Sequence, residues 1–259
     1  MGVQQNTRPS ATAGLSVVDL RAATWFTPFG LVAICAFVDR HKRAGDEVQF
    51  LGPARTDISG YLFRMRLGVI LEEMNVGHDL HTVPSRPNTS LVELHSFGSE
   101  EEVSKLALHI QESVSHDVAA GVALHRCLTE AGENVKEHSG LENGFLAAQT
   151  TRDFGGAPVL RFAVGDAGKG FRTNLSSHGA ETDLAALRLG VVRGVSSAGG
   201  INRGRGLRQL SALLRAQGGT MSALSGRACL TWHGDQETPR TFRESFGGAL
   251  VEGVVPLRG

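Results

Sequence analysis

Glu130, Asn134 and His138 are an acid, an amide and an imidazole, each four residues on from the last, in the stretch LTEAGENVKEHSG (128–140). At about 100° per residue they stack along one side of a helix. An acid and an amide one turn apart suit a Mg²⁺-nucleotide site. Mg²⁺ takes hard oxygen ligands and keeps several waters, so one Asn carbonyl oxygen beside phosphates is enough. Glu130 can then act as a general base on a water or hydroxyl. The same spacing also decorates the solvated side of many helices, and His138 reads equally as a core histidine bonded to backbone. Leu124, Leu128, Ala131 and Val135 form the apolar stripe of this helix, so the polar column lies on the shoulder of the stripe, where a pocket beside the core would be cut. Gly132 costs a helix interior about 1 kcal/mol relative to Ala, which predicts the close approach of a neighbour.

Two further stretches carry chemistry. VGDAGKGF (164–171) places Asp166 after an apolar run, followed by Gly168 and Gly170. An Asp at a strand end can accept a hydrogen bond from the exocyclic amine of a base, and glycines two apart let backbone approach a flat ring. A surface hairpin turn has the same composition. NRGRGLRQL (202–210) puts Gly204 and Gly206 where a loop enters a helix. Free N–H groups and the helix dipole favour phosphate there, and Arg203, Arg205 and Arg208 can add charge-assisted bonds. The preceding residues 194–202 suit a lid over a ligand. A glycine-rich connector with solvated arginines is the plain alternative.

These residues need elements to hold them. LSVVDL (15–20) reads as a buried strand, and a turn at Thr27-Pro28-Phe29-Gly30 leads into a helix closed by Gly45. EVQFLG (47–52) is a second strand, parallel to the first, and TDISGYLFRMRLG is one helix with Thr56 as cap and Gly68 as stop. The tail 1–14 is polar and reads as disordered, and 81–90, with two prolines, reads as a linker. LVELHSF (91–97) is a strand, and Ser99 caps the acidic start of the next helix. The helix of the Glu–Asn–His column follows, then strands near 142–152 and through PVLRFAVGDAG. A helix TDLAALRLGVV, the helix GLRQLSALLRAQGG, and strands TMSALSG, ACLTWH and ALVEGVVPL complete the chain. The fold class expected is α+β: helices on one face of a mixed, mostly antiparallel sheet over 91–259, preceded by a small α/β segment over 15–80.

Bulk numbers agree with a globular protein: 259 residues, 41% hydrophobic and 20% charged. A formal net charge of zero leaves no field to draw nucleic acid or an anionic membrane. Cys35, Cys127 and Cys229 have no metal-ligand spacing and read as free thiols. No apolar run approaches the ~20 residues of a membrane span, and the start lacks a signal-peptide core. The expected location is the cytoplasm.

Taken together, E-A-G-E-N-V-K-E-H, D-A-G-K-G and N-R-G-R-G-L resemble, in order and spacing, the GHKL superfamily of histidine-kinase-like ATPases. Within it, TEAGENVKEH looks most like the anti-sigma-factor serine kinases. The resemblance implies a GHKL α/β sandwich over 91–259 that binds ATP and Mg²⁺. Glu130 would be the general base, Asn134 the Mg²⁺ ligand and Asp166 the reader of the adenine amino group. Gly168 and Gly170 would line the base pocket, while Gly204, Arg205, Gly206 and Leu207 would bind the phosphates. His138 would be a neighbour of the site. Two departures stand out: Glu137 replaces a Lys common in histidine kinases, and Ala249 stands where relatives often show Thr. The front segment resembles a STAS domain, the fold of anti-sigma-factor antagonists, with Phe29 where their phosphoacceptor serine would be. It is short for a complete domain, so packing on the ATPase sheet and mediating a homodimer are both open to it.

Two functions follow from the resemblance. One is a serine/threonine kinase or ATPase that phosphorylates or controls a protein partner, itself similar to an anti-sigma-factor antagonist or a sigma factor. The other is a nucleotide-gated interaction module with little chemistry, which Ala249 and Phe29 favour.

Overall fold

The structure is a computed structural model that describes residues 14–84, 91–112, 118–139, 143–153, 155–194 and 205–257. Residues 1–13 of the expected tail (1–14), 85–90 of the expected linker (81–90) and 195–202 of the expected lid (194–202) lie outside the described residues. No described helix is long and apolar enough to cross a membrane.

The chain opens with β1 (Leu15–Asp19), α1 (Pro28–Ala44) and β2 (Glu47–Leu51), and β1 and β2 pair in parallel. Leu15 and Val17 are exposed and only Val18 is buried, so β1 is a half-open edge strand and not the buried one expected. The anticipated turn at 27–30 is the cap and first residues of α1. Thr27 is the N-cap, its Oγ1 accepting the Gly30 N–H at 3.4 Å, and Pro28 takes the first helical position, where its missing N–H costs nothing. Gly45, at φ 85°, ends α1 in the left-handed conformation that glycine adopts freely.

Where one helix was expected there are two, α2 (Thr56–Arg64) and α3 (Leu67–Glu73). Thr56 is the first helical residue after an Arg55 cap that makes no side-chain bond, so it does not cap α2. The break falls at Arg66, whose φ of 61° is left-handed. Gly68 is no stop either: it lies buried inside α3 with the His78 ring against its Cα.

The second part runs β3 (Leu91–Phe97), α4 (Glu100–Glu112), α5 (Val118–Ser139), β4 (Gly144–Arg152), β5 (Pro158–Asp166), α6 (Gly170–Leu175), α7 (Asp183–Leu187), α8 (Arg205–Ala216), β6 (Thr220–His233) and β7 (Gln236–Pro256). Ser99 caps α4 as expected: its Oγ accepts the Glu102 N–H at 3.2 Å, and Glu102 accepts the Ser99 N–H at 3.1 Å in return. The five strands order as β3-β4-β5-β7-β6, every neighbour antiparallel, so this sheet is not mixed.

Two strands predicted separately, TMSALSG and ACLTWH, are limbs of β6. Ser222 Oγ and Thr231 Oγ1 lie 2.9 Å apart. Nine residues of straight strand would separate them by roughly 30 Å, so β6 doubles back at Gly226, which has φ 60°. The outer limb pairs with the first part of β7, which is why β7 begins well before the ALVEGVVPL strand expected.

Helices cover both faces of the sheet. On the first face, α4, α5 and α8 bury Leu106, Ile110, Leu124, Leu128, Leu207 and Leu210 against Leu146, Phe162 and Val164. Gly132 has the neighbour its cost implied, since Val103 of α4 occupies the space a side chain would need. On the second face, α1 packs Leu31, Val32, Cys35 and Ala36 in one cluster with Phe145, Ala147, Ala163 and Leu250 of the sheet. The front segment thus shares a core with the sheet.

Candidate functional site

The site begins with α5. Leu124, Leu128, Ala131 and Val135 are all buried, as their spacing requires, and this fixes the rotation of the helix. Glu130 and Asn134 consequently lie half-buried on its shoulder. The side chain of His138 lies outside the described residues.

Facing α5 is the start of α8. A methyl group on Gly206 would come within 2.5 Å of Glu130 Oε2, so only glycine lets the two helices meet there. The carboxylate of Glu130 therefore sits at the first turn of α8, the positive end of its dipole. Arg126, one turn back on α5, approaches Glu130 Oε1 with its Nε at 3.5 Å. Leu207 turns its side chain into the core. Arg208 is exposed, while Gly204 and the side chain of Arg205 lie outside the described residues.

Asp166 ends β5. Leu160, Phe162 and Val164 face the first cluster, so alternation directs Asp166 to the same face as α5. Its carboxyl is buried, and burial pushes its pKa up to about 7. The backbone N–H groups of Gly168 (2.7 Å) and Ala249 donate to it and oppose that rise, while Asp39 of α1 reinforces it. This is an acid with one side held by amides. Such a group can accept a hydrogen bond from a ligand amine when ionised.

Gly168 and Gly170 divide their work. Gly168 is a donor to Asp166. Gly170, at φ 73°, starts α6, and the space a side chain would fill is taken by Ser225 Oγ at 2.6 Å and Gly248 O at 2.9 Å. The geometry thus joins Glu130 to the α8 start and Asp166 to its glycine loop, on one face of the sheet. Among the described residues no hydrogen bond or ion pair links Asp166 to Glu130 or Asn134.

Two participants escaped sequence reasoning. Ser225 is buried beneath the loop, and Gly248, at φ 114°, leaves no room for a side chain against the Asp166 carbonyl. The inward parity of the S in SALSG and the GG pair at 247–248 were the available signals. Cys35 and Cys229 are free thiols. No protein-family model matches this chain, and it matches neither a curated protein nor a solved structure.

Proposed function

We propose that this chain is an ATP-binding regulatory protein whose residues 91–259 form a GHKL-type sandwich, with a STAS-like front segment, and which phosphorylates or controls a protein partner. The observation that carries the reading is the contact of Glu130 with Gly206. It brings the acid–amide helix against the glycine-led start of α8, two stretches far apart in sequence that a nucleotide site needs side by side.

The residues fit Mg²⁺-ATP by donor chemistry. Asn134 offers a hard amide oxygen one turn from Glu130, and Asp166 offers a buried acceptor on the same sheet face. When bound, ATP supplies the phosphoryl group and Mg²⁺ neutralises phosphate charge. Asn134 would hold the metal, and the α8 start would orient phosphate oxygens with its N–H groups. Glu130 would take the proton from an attacking hydroxyl or water. Asp166 would accept from the adenine amino group. The partner chemistry is that of an anti-sigma-factor antagonist or a sigma factor.

A titration of N-methylanthraniloyl-ATP with and without Mg²⁺ tests the reading. Saturable binding that weakens on omitting Mg²⁺, with the metal dependence lost in Asn134→Ala, is expected. Absence of binding in both conditions overturns it. Ala249 and the Arg126 contact on Glu130 favour a second reading, a nucleotide-gated interaction module. Glu130→Ala separates the two: loss of phosphoryl transfer with ATP affinity kept identifies an enzyme, whereas partner control that survives Glu130→Ala but fails in Asn134→Ala identifies a gate.

A further inference from the structure

Asp166, Ala249 and Ser225 form one row across β5, β7 and β6, since Ala249 pairs with both of the others. Ser225 is buried, and its hydroxyl both accepts and donates a hydrogen bond. Its Oγ accepts the Phe171 N–H at 3.0 Å and donates to the Gly248 carbonyl at 2.8 Å. The first bond matters because α6 has no capping side chain of its own: Lys169, at its N-cap, makes none. Ser225 therefore caps α6 from a distant strand and anchors the loop 167–170 that leads into it. The second bond holds Gly248 in its left-handed conformation, next to Ala249.

These two anchors lie beside the two amides that grip Asp166. Gly168 belongs to the loop that Ser225 ends, and Ala249 follows the residue whose carbonyl Ser225 holds. One buried hydroxyl thus orients both donors, and through them the free lone pairs of the Asp166 carboxylate.

We propose that Ser225 is a positioning residue that sets the purine selectivity of the candidate site, making it adenine-specific. The proposal rests on the nucleotide reading given above. An ionised carboxylate accepts from the exocyclic amine of adenine, whereas guanine presents an oxygen acceptor at the equivalent place. Discrimination therefore depends on where the Asp166 lone pairs point. A carboxylate released from its two amides can turn away from the base edge.

The test compares N-methylanthraniloyl-ATP with N-methylanthraniloyl-GTP on the full chain, its Ser225→Ala variant and its Ser225→Thr variant. Ser225→Ala is expected to lose affinity for the adenine analogue by about tenfold, the worth of one well-placed hydrogen bond. Affinity for the guanine analogue should change by less than about twofold, and Ser225→Thr should restore most of the discrimination. Ser225→Cys, of similar volume and weaker bonding, gives an intermediate ratio and serves if the Ala variant does not fold. An equal loss for both analogues, or an unchanged ratio with faster hydrogen exchange at the Phe171 amide, overturns the proposal and leaves Ser225 a purely structural clamp. Failure of the unaltered chain to bind either analogue overturns the nucleotide reading, and this proposal with it. Retained selectivity in Ser225→Ala overturns this proposal alone.

Discussion

On the second face of the sheet, a side chain at Gly165 would reach within 3.0 Å of Val32 on α1, and the Arg40 guanidinium lies over Gly247. On the first face, Gly206 gives way to Glu130 in the same manner. Each face holds a close contact at glycine, but the second sets Val32 and Arg40 of α1 against Gly165 and Gly247 of the sheet, whereas the first sets the Glu130 carboxylate of α5 against Gly206 of α8. Leu31, Val32, Cys35, Ala36 and Val38 of α1 are completely buried, so the centre of that contact is apolar. The first face keeps Glu130 and Asn134 half-open on the rim of its core. A glycine motif in a sequence therefore reports close approach. Chemistry depends on what the glycine approaches.

The comparison breaks most visibly if the two faces do not depend on one another. Leu31 of α1 and Leu128 of α5 are both fully buried, one against each face. Truncating either to Ala removes transfer energy and leaves a cavity, costing roughly 2–5 kcal/mol. Because α1 shares a core with the sheet, Leu31→Ala is expected to lower the midpoint of a single unfolding transition, followed by calorimetry, about as much as Leu128→Ala does. Two separated transitions would show that the front segment folds independently of the sheet.

A smaller effect reads Asp166, a first-face acid that Asp39 of α1 also influences. Asp166 has its folded pKa raised to about 7 from 3.8, with burial the main cause and Asp39 of α1 adding to it. Between those values the folded chain retains a proton that the unfolded chain has released. Stability from this group is therefore greatest below about pH 4 and declines as pH rises to about 7, by on the order of a few kcal/mol. Asp166→Asn should flatten that decline in denaturant midpoints measured from pH 4 to 8, and Asp39→Asn should move it to lower pH. An unchanged profile in both variants would separate the second face from the acid. Binding of an adenine analogue should run the opposite way, strengthening as Asp166 ionises.

Much of this arrangement was legible locally. The apolar spacing of α5 gave its buried stripe and hence the shoulder position of Glu130 and Asn134. Gly132 announced its tight neighbour, Gly45 its helix end, and Ser99 its cap. Each of those signals is contained within one or two helical turns. Arg66 carries no sequence mark for a left-handed backbone, so the break between α2 and α3 was invisible, and Gly68 was mistaken for a stop when it makes room for His78. The return of β6 at Gly226 was hidden because residues 236–246 are mostly polar and exposed and lack a buried strand's apolar alternation. Ser225 was hidden for a different reason. Its partners, Phe171 and Gly248, come from two other elements, and their meeting is decided by packing across the sheet.

The smallest difference between the faces is in how their helices start. Thr27 caps α1 with one bond of 3.4 Å, supported by Pro28 in the first turn. Ser99 caps α4 reciprocally: Glu102 accepts from the Gly98 N–H at 2.7 Å and the Ser99 N–H at 3.1 Å, and these bonds hold its carboxyl below its ordinary pKa. A long bond contributes little, and proline presets the helical φ without any cap. Thr27→Ala should therefore cost about 0.5 kcal/mol and Ser99→Ala about 1 kcal/mol, within the range for lost caps. Glu102 serves α4 only while ionised, so its share is present above its unfolded pKa of 4.5 and disappears as pH falls through the lowered folded value. Chemical denaturation of Glu102→Gln should consequently differ from the parent at neutral pH and converge with it in acid, while Thr27→Ala keeps a constant offset. A pH-independent gap for Glu102→Gln would mean that the two helices start by the same means.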